Sequence, residues 1–99
     1  MEFDRLSLIT TSGLKDVLRD GGHIKYQRLE FDGALGWMLF GFGHDGKQYR
    51  VVSPNRLNDR FFPKADALIN FHIRQFPDDK EISLPLVTGD WSQEYPTKS

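Results

Sequence analysis

The chain has 99 residues, with 13 basic and 14 acidic side chains, three histidines and no cysteine. A chain of this length forms one domain around one modest core. The absence of cysteine excludes disulfides, cysteine-ligated zinc, iron–sulfur clusters and thiol catalysis. A hydrophobic content of 38% with 13% aromatic residues excludes a disordered chain.

The first predicted element is a short helix over residues 14–20, with Ser12 as its cap and Gly21-Gly22 as its stop. Leu14, Val17 and Leu18 share one face of it. Residues 24–31 read as a strand whose apolar phase slips between Tyr26 and Leu29, which predicts a bulge or burial on both faces. Asp32-Gly33 is a hairpin signal. Residues 35–42 follow as the central strand, apolar on both faces, with Trp37 and Leu39 opposed to Met38, Phe40 and Phe42. His44-Asp45-Gly46 turns the chain into a third strand over 47–53, and residues 54–59 form a loop. The main helix is predicted over 64–76, with Ala65, Leu68, Ile69, His72 and Phe76 as its buried stripe. Pro77 stops it.

Residues 82–87 alternate apolar and polar, and Pro85 makes them an edge strand. The polar tail, 89–99, carries two aromatic side chains, Trp91 and Tyr95. The expected fold is therefore α+β: a three- to four-stranded antiparallel sheet on one main helix, with a short N-terminal helix. The expectation is a single domain over 1–99, with its ordered core over about 3–88. The longest apolar run, residues 34–43, falls short of the ~18 residues of a membrane helix. Met1-Glu2-Phe3-Asp4-Arg5 lacks the basic-then-apolar order of a signal peptide, so a cytoplasmic protein without a membrane partner is expected.

Charge is unevenly spread. Residues 1–46 hold five basic and seven acidic side chains, 47–76 hold six and two, and 77–99 hold two and five. Lys47, Arg50, Arg56, Arg60 and Lys64 lie within one strand and loop, interleaved with Tyr49, Phe61 and Phe62. Cations beside aromatic rings suit phosphate contact and base stacking, so these five residues are the candidate nucleic-acid contacts. Gly36-Trp37, the Gly46-Lys47 turn, Tyr49-Arg50, Arg60-Phe61-Phe62 and Ala65-Asp66-Ala67-Leu68 together resemble the AP2-like arm-binding domains of phage and transposon integrases. The likeness spans about residues 34–76. It implies a three-stranded sheet entering the DNA major groove, with Lys47, Arg50 and Arg60 as contacts. The extra N-terminal helix and strand and the extra C-terminal strand depart from that pattern.

Catalytic patterns are thin. His23, His44 and His72 are far apart, and none has metal-ligand spacing. His72, on an apolar stripe, reads as a core histidine with its nitrogens satisfied. No serine sits in a Gly-x-Ser-x-Gly elbow. Gly41-x-Gly43-x-x-Gly46 has no helix after it, as a dinucleotide loop requires. Asp78-Asp79-Lys80-Glu81 reads as a solvated loop. The expectation is a non-catalytic binding module with no cofactor, monomeric or homodimeric, for nucleic acid or a nucleoprotein complex. The alternative is a protein-binding inhibitor, adaptor or subunit of the kind mobile elements encode. It would dock through the 82–87 edge or an aromatic patch drawn from Trp37, Phe40, Phe42, Trp91 and Tyr95, although Trp37 and Phe40 read better as core.

Overall fold

The computed structural model describes residues 7–55 and 58–88. In chain order the elements are β1 (Ser7–Thr10), α1 (Thr11–Arg19), β2 (His23–Phe31), β3 (Ala34–Phe42), β4 (Gln48–Val52), β5 (Phe61–Phe62) and α2 (Ala65–Gln75). The fold is α+β, as expected, but the sheet is mixed. Its order is β1-β4-β3-β2, with β5 also paired to β3. β2–β3, β3–β4 and β3–β5 are antiparallel, while β1 runs parallel to β4 from Ser7↔Tyr49 to Thr10↔Val52.

β1 is too short, and too exposed at Leu8, to show a period in the sequence. It also moves the first helix. Thr10 ends the strand with extended backbone and accepts a bond from the Gly13 N–H at 3.2 Å, so Thr10 is the N-cap in place of Ser12. The stop falls where expected: Gly21 takes φ +96°, and the Gly21 and Gly22 amides close back on Leu18 and Val17.

β2 and β3 pair without interruption from His23↔Phe42 to Phe31↔Ala34, across an Asp32-Gly33 turn with both φ values positive. The apparent phase slip in β2 is therefore not a bulge. The strand is covered on both faces, with Tyr26 and Gln27 both buried. β4 pairs with β1 along one edge from Tyr49 to Val52, but along the other it follows β3 only from Gln48 to Arg50 and then parts from it. The vacated side of β3 is filled when the chain returns. The Leu39 N–H donates to the Arg60 carbonyl at 3.0 Å, and Phe61 and Phe62 pair with Met38 and Trp37. Gly36 permits this return, because a Cβ there would collide with the Phe62 carbonyl oxygen.

The two sheet faces bury different clusters. On one, Tyr26, Trp37, Leu39 and Val51 pack with Leu14 of α1 and with Leu68, Phe71 and Phe76 in and after α2. On the other, Met38, Phe40 and Phe42 pack with Leu29, Phe31 and Phe61. Trp37, Phe40 and Phe42 are all under 8% exposed, so none of them offers a docking patch. The α2 stripe also differs from expectation: Phe71 is buried and Ile69 is 41% exposed. Residues 82–87 form no strand. Ile82 and Leu84 lean on the helix-bearing cluster, and the Trp37 Nε1–H donates to the Pro85 carbonyl at 2.8 Å.

Candidate binding cleft

A cleft of about 720 Å³ opens beside the N-terminal half of β2. One wall is residues 22–26, at the start of β2, and the other is residues 81–85. Leu18 of α1 and His72 of α2 line its floor.

The outer wall is placed by local sequence. Pro77 cannot continue α2, and a turn follows in which the Asp79 N–H donates to the Phe76 carbonyl at 3.0 Å. That turn carries Asp79 back beneath His72. His72 Nε2 lies 3.0 Å from the Asp79 carboxylate, and His72 Nδ1 lies 2.8 Å from the Tyr26 hydroxyl. An ionised carboxylate only accepts, so Nε2 carries the proton and donates to Asp79. Nδ1 of the neutral ring then accepts from the Tyr26 O–H. Burial pushes the Tyr26 phenol well above its ordinary value of 10, and the nearby Asp79 charge raises it further. Tyr26 therefore remains a proton donor at all physiological pH. The chain Tyr26–His72–Asp79 ties the sheet, α2 and the outer wall together.

The basic residues singled out in the sequence are dispersed. Lys47 is exposed, with its ammonium 5.6 Å from the Tyr49 ring centre. Arg50 makes a bidentate pair with Asp59, at 3.0 and 2.8 Å, with 19% and 7% of the two side chains exposed. Arg60 lies 5.1 Å from the Phe71 ring centre, on the helix-bearing face, whereas Arg50 pairs in register with Phe40 and leaves from the other. Lys64 is exposed at the start of α2. Arg56, Trp91 and Tyr95 lie outside the described residues. The structure thus joins Tyr26, His72 and Asp79, and it places Arg50 and Arg60 on opposite faces. His72 carried a sequence signal as a satisfied core histidine. Its partners did not, because Tyr26 is 46 residues away and Asp79 sits in an ordinary acidic loop.

Among the described residues, no three His, Asp or Glu side chains are grouped to hold a metal ion. None of the described helices is long and apolar enough to cross a membrane. Comparisons with protein-family models, with curated proteins and with solved structures gave no match.

Proposed function

We propose that this chain is a small, non-catalytic, cytoplasmic binding module that holds a protein partner in the cleft between β2 and residues 81–85. The carrying observation is the cleft itself, open at the start of β2 and lined by apolar Ile24 and Leu84 beside charged Asp79 and Glu81. The Tyr26–His72–Asp79 chain lies in its floor but reads as structural, because both ring nitrogens of buried His72 are taken up by Tyr26 and Asp79. The second reading is nucleic-acid or nucleoprotein binding, which also underlies the likeness to arm-binding domains. Its support is Lys47 and Lys64, both exposed and without an ion pair among the described residues. Arg50, already held by Asp59, and the burial of Met38, Phe40 and Phe42 on the helix-free sheet face weigh toward the cleft.

The two readings separate in one experiment. Nuclease-treated co-purification is run with the native chain, with Ser83→Trp, which fills the cleft from an exposed position, and with Lys47→Glu/Lys64→Glu. A partner protein lost only with Ser83→Trp is expected. In parallel, anisotropy titrations against DNA and RNA at about 50 and 200 mM salt are expected to show no steep salt-dependent binding. Binding that the two lysine substitutions abolish overturns the cleft reading in favour of nucleic acid.

A further inference from the structure

We propose that the partner docks by seating bulky apolar side chains in the cleft, with a lysine or arginine beside them on the Glu81 carboxylate. This rests on the reading of the cleft as a protein-binding site and names the chemistry of its ligand.

Three observations carry it. First, the cleft is ringed by aliphatic side chains whose burial is incomplete. Leu18, Ile24, Ile82 and Leu84 all line it, and each is only half-buried against the helix-bearing cluster. An apolar side chain entering between them completes that burial. A cavity of about 150 Å³ holds a benzene ring, so one of about 720 Å³ admits more than one side chain.

Second, the polar groups of the floor are occupied. The Tyr26 hydroxyl is on His72 Nδ1, and His72 Nε2 is on Asp79. The His72 ring therefore has no donor or acceptor left to orient a small polar ligand, which favours an apolar occupant. Third, the charged side chains on this face of the cleft are acidic. The Asp79 side chain is 49% exposed, and Glu81 is exposed with no ion pair among the described residues. His23 and Lys25 also line the cleft, but they pair in register with Phe42 and Phe40, and strand alternation turns their side chains toward the helix-free face. The His23 ring stacks on Phe42 there, 5.1 Å between centres. Apolar walls under an acidic rim are complementary to a segment in which bulky apolar residues adjoin a basic one.

A second copy of the chain is the poorer occupant. It offers Ile73 beside Arg74, both exposed on α2, but that contact joins two different surfaces and makes rings or filaments in place of a closed dimer.

The test begins with a display library of random dodecapeptides selected on the full chain. Enriched peptides are expected to carry bulky apolar residues within a few positions of Lys or Arg, and Ser83→Trp is expected to abolish their binding. In resynthesised peptides, replacing an apolar residue by Ala is expected to weaken binding about tenfold. Replacing the basic residue by Glu is expected to weaken it about threefold at about 50 mM salt and less at about 200 mM, and Glu81→Lys is expected to restore binding of that Glu peptide. Peptides that Ser83→Trp excludes but that carry no basic residue, or whose basic residue is indifferent to Glu81→Lys, overturn the inference and leave the cleft as a protein-binding site. Failure to enrich any peptide, or enrichment of peptides indifferent to Ser83→Trp, overturns both. Self-association that Ser83→Trp blocks assigns the cleft to a second copy and overturns the inference.

Discussion

At the scale of single residues, the buried polar chain has the sharpest consequences. Tyr26→Phe keeps the ring but leaves Nδ1 of His72 without its donor in a site 4% exposed. An orphaned buried acceptor costs about 1–3 kcal/mol, which urea unfolding measures directly. The same tyrosine sets an alkaline limit. Its phenol ionises near 10 in the unfolded chain and only at higher pH in the fold, so above 10 the unfolded state releases a proton that the native state keeps. Stability is expected to be unaffected by this group below pH 10 and to fall above it by about 1.4 kcal/mol per pH unit. Tyr26→Phe should remove that share of the slope. Equal slopes in the two proteins would place the alkaline loss elsewhere.

At the scale of elements, caps and faces can be tested against their sequence alternatives. Thr10→Ala deletes the side chain that accepts from Gly13 and should cost about 1 kcal/mol, whereas Ser12→Ala on exposed surface should cost almost nothing. The reverse order would restore Ser12 as the cap. On α2, Phe71→Ala should cost about 3–5 kcal/mol, while Ile69→Lys, at a position 41% exposed, should be tolerated. The helical period located this helix to within a residue or so at each end. It misassigned one member of the stripe, because residues 65, 68, 69, 72 and 76 fit a regular helix as well as the set that β5 and β3 select. Phe71 is the residue that meets Phe62, 5.1 Å between ring centres, and Phe62 was not readable as a strand.

At the scale of the molecule, residues 79–85 are held to the domain by side chains more than by backbone. Trp37 reaches Pro85 across 48 residues of sequence, and His72 reaches Asp79 across a proline turn. Trp37→Phe keeps most of the buried ring and removes the indole N–H donor. Amide exchange is expected to accelerate across residues 80–84 well before it does in β3, because that wall loses one of the two hydrogen bonds, Trp37 to Pro85 and His72 to Asp79, that hold it. Uniform acceleration over the whole chain would mean that the wall and the sheet open together.

Much of this protein was legible in the residues alone. Asp32-Gly33 and the Gly46 turn marked the two hairpins, alternation marked the strands they join, and Pro77 marked the end of α2. These are local signals, written within a few neighbouring residues by backbone sterics and side-chain period. What depended on distant partners was not legible. β1 became a strand only because the outer edge of β4 was there to pair with it, and β5 only because β4 parts from β3 beyond Arg50 and leaves a side of β3 open. Residues 82–87 had the pattern of a strand and no ladder to join. The basic segment looked continuous along the chain, yet its strand alternates between faces, and Asp59 claims Arg50. The cleft came from the same source. Its walls are 55 or more residues apart in sequence, and only tertiary packing sets the start of β2 opposite residues 81–85.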